Sequence, residues 1–147
     1  MKYVVCYSGG HSSALAAVET VIRHGRKNTI LLNHDISGKV EDEDVKRFKA
    51  ELADYLEVPL LYANRESFQT DTPLSLCRQM GIMRFKGGNS ICTYYLKTEP
   101  FYKWLESNYP VGRREISDEI TLVYGFDVSE RHRIARRRKH LLNKGYL

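Results

Sequence analysis

The sequence predicts an α/β protein built on a parallel sheet with helices on both faces. Three observations carry that expectation. Short apolar runs alternate with stretches of helical period along the chain. The first run passes through a Gly/Ser turn straight into a helical pattern, as a strand–turn–helix unit does. Polar residues cluster directly after the apolar runs, where ligands bind in open parallel sheets.

The elements follow in order. Residues 2–7 read as the first strand, around Tyr3-Val4-Val5-Cys6, and residues 13–25 as a helix ending near Gly25. Residues 29–34 (Thr-Ile-Leu-Leu-Asn-His) read as the second strand. Residues 41–56 read as a helix with an acidic start and with Val45, Phe48, Leu52 and Leu56 on one face. Pro59 to Tyr62 reads as a short third strand. Residues 64–91 look irregular, with Pro73, Gly81, Gly87 and Gly88 as breaks. A helix is expected over 93–106, against the local objection of Pro100. Residues 120–125 read as a fourth strand and 128–143 as a basic helix. There is no repeat or low-complexity segment.

At 147 residues the chain is expected to form one domain, large enough to bury a core without disulfides or metal. A hydrophobic share of 42% and a charged share of 28% are those of a soluble globular protein. No apolar run is long enough to span a membrane, and no signal-peptide pattern precedes the first strand. Cys6, Cys77 and Cys92 are odd in number and form no CxxC pair, which points to a reduced, cytoplasmic setting. Cysteine-only zinc or iron–sulfur sites lack ligands. The net charge of +5 is local. Residues 131–147 hold seven of the 23 basic residues and no acids, leaving 16 bases against 18 acids in the rest. An anionic partner, a nucleotide or nucleic acid, suits that excess, and so does a solvated basic face.

Four segments carry candidate chemistry. In Tyr7-Ser8-Gly9-Gly10-His11-Ser12-Ser13, two glycines let the backbone approach a ligand, three serines add hydroxyl donors, and the helix start adds a dipole. An ordinary strand–turn–helix connection has a similar composition. After the second strand, Asn33-His34-Asp35-Ile36-Ser37-Gly38 places Asp35 to accept from a ribose hydroxyl or hold Mg²⁺. Glu41, Asp42 and Glu43 read as an acidic helix start. In Ile91-Cys92-Thr93-Tyr94-Tyr95-Leu96-Lys97-Thr98-Glu99-Pro100, Thr93 suits an N-cap and Leu96 the core. There Lys97 is either solvated or an anion contact, and Cys92 either an activated thiol or a buried inert one. The fourth segment is Gly125-Phe126-Asp127-Val128-Ser129-Glu130-Arg131-His132-Arg133.

These segments resemble, in order, the motifs of one family. Ser8-Gly9-Gly10-His11-Ser12-Ser13 is similar to the SGGxDS loop of the PP-loop ATP pyrophosphatases, the adenine nucleotide alpha-hydrolase-like superfamily with a Rossmann-like fold. It is not a Walker A loop, because no Gly-Lys-Ser/Thr follows at the required spacing. Cys92-Thr93…Leu96-Lys97…Pro100 resembles a signature of the phosphoadenosine phosphosulfate (PAPS) reductase branch of that superfamily. Asp35-Ile36-Ser37-Gly38 with Glu41 resembles its Asp-Thr-Gly…Glu-Thr element, and Gly125…Glu130…Arg133 its Gly-x-Arg-x-x-Glu-Ser-x-x-Arg element.

The resemblance implies an adenine nucleotide, ATP or PAPS, with Mg²⁺ a possible companion. It implies a nucleotide-binding set of Ser8, Gly9, Gly10, His11, Ser12, Ser13, Asn33, Asp35, Cys92, Thr93, Lys97, Gly125, Phe126, Glu130, Arg131 and Arg133. Lys97, Asp35 and Ser12 are the candidates for catalysis, with Asp35 as the metal ligand. It also sets the fourth strand beside the first, with Gly125 facing the Ser8–Ser13 loop.

Four departures bear on activity. No cysteine follows Cys92, so the family's attacking thiol is missing and PAPS reduction is not expected. The cluster-binding cysteine pairs of the adenylylsulfate reductases are absent. Ser12 stands where the loop usually has Asp, and Asp127 where the last element usually has Arg. A serine is the poorer Mg²⁺ ligand. The readings that remain are ATP cleavage with adenylyl transfer to an unknown acceptor, nucleotide binding without that chemistry, and nucleic-acid binding by the basic helix. A self-associating face of exposed tyrosines and Trp104 is a further possibility.

Overall fold

The computed structural model describes residues 1–113 and 115–147. The strands are β1 (Lys2–Cys6), β2 (Thr29–Asn33), β3 (Leu60–Tyr62) and β4 (Ile120–Val123). The helices are α1 (His11–His24), α2 (Glu43–Leu56), α3 (Pro73–Met80), α4 (Ile91–Thr93), α5 (Glu99–Asn108) and α6 (Arg131–Leu142). A π-helical turn, Tyr94–Thr98, joins α4 to α5.

The four strands form one parallel sheet in the order β3-β2-β1-β4. Tyr3 pairs with Thr29, Lys2 with Ile120, and Leu31 with Leu60. Adjacent side chains on a strand point to opposite faces, and β1 is covered on both, so Val4 and Val5 are each fully buried. Val4 packs with Leu32, Phe101, Leu105, Leu122 and Leu141, beneath α5 and the end of α6. Val5 packs with Leu31, Ala14, Ala17, Ala53 and Leu56, beneath α1 and α2. This is the Rossmann-like α/β architecture expected from the alternation.

Local chemistry sets the element ends. Gly10, in extended conformation, precedes α1, which starts at His11, two residues earlier than the sequence pattern placed it. Asp42 caps α2 by accepting from the Asp44 N–H at 2.8 Å. The buried positions of α2 are Lys49, Ala53 and Leu56, whereas Phe48, expected on the buried face, is exposed. Segment 64–91, expected to be irregular, contains α3. Thr72 and Ser75 close a capping box around its start, and Pro73 sits in the first turn, where its missing N–H costs nothing. Pro100 is tolerated for a different reason, within a continuous helical run, because the preceding π turn re-phases the backbone bonding. The basic helix read over 128–143 is split into a short 3-10 turn, Val128–Glu130, and α6. No helix among the described residues is long and apolar enough to cross a membrane.

Candidate functional site

The strand order reverses between β1 and β4. From β1 the chain steps through β2 to β3 on one side, and β4 is added on the other. Loops leaving β1 and β4 diverge there, opening a crevice at the carboxyl ends of the strands. A cavity of about 440 Å³ occupies this position. It is reached from both faces of the sheet: Lys49 and Glu41 from the α2 side, Lys97 and Phe101 from the α5 side, and Arg133 and Arg137 from the α6 side.

The loop after β1 forms one wall. Gly9 has φ +80°, a conformation that other residues rarely adopt. The Ser13 hydroxyl donates to the Gly10 carbonyl at 2.8 Å and lies 3.1 Å from the Ser8 hydroxyl. Among the described residues no side chain caps the start of α1, and no acid occupies its first turn. The amides and dipole at that end are therefore free for an anion. Gly125, just past β4, packs directly on the α1 start. A Cβ there would stand 2.6 Å from the Ser13 nitrogen and nearer still to the Ser12 carbonyl.

A buried polar cluster forms the floor. Lys49 Nζ donates to Glu41 Oε1 at 2.6 Å and approaches Asn33 Oδ1 at 3.4 Å. The Lys49 stem lies against Gly9. Glu41 Oε2, Asn33 Nδ2 and the Tyr7 hydroxyl are buried with no hydrogen-bond partner among the described residues, and all three residues line the cavity. Buried polar atoms are nearly always paired, so these are open positions for a ligand that both donates and accepts.

His34 and Cys6 also line the cavity. His34 Nδ1 lies 2.6 Å from the Ala63 carbonyl. A carbonyl only accepts, so Nδ1 carries the proton and Nε2 is the free acceptor. Burial holds the His34 pKa below its ordinary value. The Ala63 bond opposes that shift, and the nearby Lys97, Lys49 and Arg137 reinforce it. The unfolded chain thus takes up this proton more readily than the folded one. His34 should cost stability as pH falls below about 6.5. Urea titrations between pH 7.5 and pH 5.5, about one unit either side of that value, check this: His34→Asn, which keeps a donor for Ala63, should show a flatter decline than the parent. Burial pushes the Cys6 thiol up to about 12, so it is neutral and unsuited to nucleophilic attack.

Of the residues expected from sequence, Ser8, Ser13, Asn33, Thr93, Lys97, Gly125, Phe126 and Arg133 line this cavity. Gly9, Gly10, His11 and Ser12 belong to its loop wall without lining it, and Cys92 lies one residue behind Thr93. Glu130 is engaged with Arg133 and with the Asp127 N–H. Arg131 faces a groove on the far side of α6. Asp35 is held by Lys46 at 2.8 Å and does not line the cavity. Among the lining residues the carboxylate is that of Glu41.

Sequence reading took Glu41 for part of an acidic helix start and gave no cavity role to His34, Lys49, Arg137 and Tyr124. Lys49 left a readable trace, since it occupies the Val45–Lys49–Ala53–Leu56 stripe of α2, where a lysine is unusual. Arg137 follows Arg133 by one helical turn. The Tyr124 ring, stacked on Phe126 at 5.7 Å, carries Arg137 at 5.4 Å.

Among known proteins, no family model matches this chain, and no curated protein matches it.

Proposed function

We propose that this chain is a PP-loop protein of the PAPS reductase type that binds an adenine nucleotide, ATP or PAPS, in the β1/β4 crevice. With ATP, the proposed reaction is transfer of the adenylyl group. The observation that carries this reading is the convergence of four cationic side chains, Lys49, Lys97, Arg133 and Arg137, with the uncapped start of α1 around one cavity. Guanidinium and ammonium groups beside free helix amides are a phosphate environment.

In the proposed reaction an acceptor oxygen attacks the α-phosphorus. A new P–O bond forms, the α–β bridging bond breaks, and pyrophosphate leaves with its electron pair. The acceptor's proton passes to solvent. Lys97, Arg133 and Arg137 neutralise charge on the phosphates, and the loop holds them in line. Asn33 Nδ2 and Glu41 Oε2 are suited to the ribose, one donating to a hydroxyl and the other accepting from it. The unpartnered Glu41 Oε2 would be the residue to hold a magnesium ion, which would supply charge neutralisation at the phosphates. Asp35 can take either role only by leaving Lys46.

Calorimetry with ATP and with PAPS tests the binding. Lys97→Met should weaken affinity roughly tenfold or more, the loss expected for a hydrogen bond to a charged group. The reading fails if neither nucleotide binds, or if Ser8→Ala and Lys97→Met bind as the parent does. Ser12 favours a second reading, nucleotide binding without cleavage, because the loop brings no carboxylate. In that case ATP binds and no pyrophosphate is released with any acceptor.

A further inference from the structure

An amphipathic helix usually turns its apolar stripe toward the body of the protein. In α6, Arg133, Arg136, Arg137 and His140, spaced i, i+3, i+4 and i+7, form a basic stripe instead, exposed except for the half-buried Arg137. All four line one chamber of about 530 Å³, facing the start of α4 and the rings of Tyr94 and Tyr102. Arg138 and Lys139 do not line it; they line grooves elsewhere on the helix, one of which Arg137 also borders.

The chamber lies beside the nucleotide cleft, because Arg133 and Arg137 line both. No acidic side chain among the described residues lines it. Glu130 pairs with Arg133 from the preceding turn, and Arg137 rests on the Tyr124 ring. Arg136 and Arg137 have no acidic partner among the described residues, and with Arg133, shared with Glu130, they create a positive potential that an anion relieves. Guanidiniums grip phosphate bidentately, and tyrosine rings offer faces for a sugar or base.

We propose that this chamber is the acceptor site, holding a phosphate group of the second substrate beside the nucleotide. The inference rests on the reading of the cleft as a nucleotide site. The phosphate belongs either to a small phosphorylated molecule or to a single-stranded nucleic acid.

Arg136 and His140 line the chamber and not the cleft. Both are exposed, so the double variant Arg136→Ala/His140→Ala should fold. The experiment saturates parent and variant with a non-hydrolysable ATP analogue. It then measures binding of two probes, tripolyphosphate by calorimetry and a short fluorescein-labelled single-stranded RNA by anisotropy. The parent should bind at least one probe. The variant should bind it roughly tenfold more weakly, the loss of about 1.4 kcal/mol expected on removing a charge-assisted contact, while its affinity for the analogue is unchanged. Binding of tripolyphosphate alone identifies a small acceptor, and tighter, steeply salt-dependent RNA binding identifies a strand. Analogue binding with neither probe bound at low salt, or with the variant equal to the parent, overturns the acceptor site and leaves the nucleotide reading intact. If the analogue itself fails to bind, the nucleotide reading falls and the acceptor role with it.

Discussion

Lys49→Met should destabilise the protein by about 3–5 kcal/mol, the cost of stranding a buried charge. Lys49 is almost fully buried, and its ammonium is 2.6 Å from a carboxylate oxygen of the largely buried Glu41. Methionine keeps the stem that supports Gly9 but removes the charge, leaving Glu41 beside Asn33 with no cation in contact. The second substitution, Glu41→Gln, should recover most of the loss, because a neutral pair carries a far smaller desolvation penalty. A domain of this kind has only about 5–15 kcal/mol to lose, so denaturant midpoints will separate the variants clearly. A change below about 1 kcal/mol in Lys49→Met would mean that the ion pair is solvated, as exposed pairs are. If the cleft binds a nucleotide as proposed, affinity for it should fall in the single variant as well, since Asn33 and Glu41 lose their anchor.

The second large effect is expected at Gly125. The atoms that an added Cβ would meet are the backbone of Ser12 and Ser13, which cannot rotate aside as a side chain can. Gly125→Ala must therefore push β4 away from the start of α1 or shift the loop itself. Overpacking of this kind costs about 1–3 kcal/mol, a fall of roughly 3–10 °C in the melting temperature at this size. The functional effect should exceed the stability effect. The displaced segment carries the loop serines and the uncapped amides, so ATP binding should be lost while the far-UV spectrum stays that of the parent. Gly25→Ala is a useful control, because nothing lies near an added Cβ there. It should melt lower through backbone strain alone, since its φ is +80°, and bind ATP normally. Unaltered ATP binding by Gly125→Ala would show that this contact does not shape the loop.

Much of the architecture was legible in the chain. The apolar runs at Val4-Val5, Ile30-Leu32 and Ile120-Val123 are strands, and the alternation with helices required them to be parallel. The errors have local causes. Pro73 reads as a break, but after Thr72 and ahead of Ser75 it starts a helix. Phe48 reads as core because it is apolar, but the stripe that faces the sheet runs one residue later, through Lys49. A lysine there is stable only because Glu41, eight residues earlier, comes back to meet it. Hydrophobic periodicity carries no information about such a partner.

The candidate site divides in the same way. The sequence by itself determined that a Gly/Ser loop ends β1 and opens α1, because turn conformation and helix starts depend on neighbouring residues. It also determined that the C-terminal segment is a strongly basic helix. Only the tertiary structure decided which charges are spent on one another and which remain for a ligand. Asp35 is taken by Lys46, while Glu41 keeps one oxygen free over the cavity. Arg136 and Arg137 line the chamber and Arg138 does not, although Arg137 also borders the groove beside β4 that Arg138 lines. The physical reason is that ion pairing and desolvation depend on distance and burial, and the groups concerned lie far apart in the chain until the sheet brings them together.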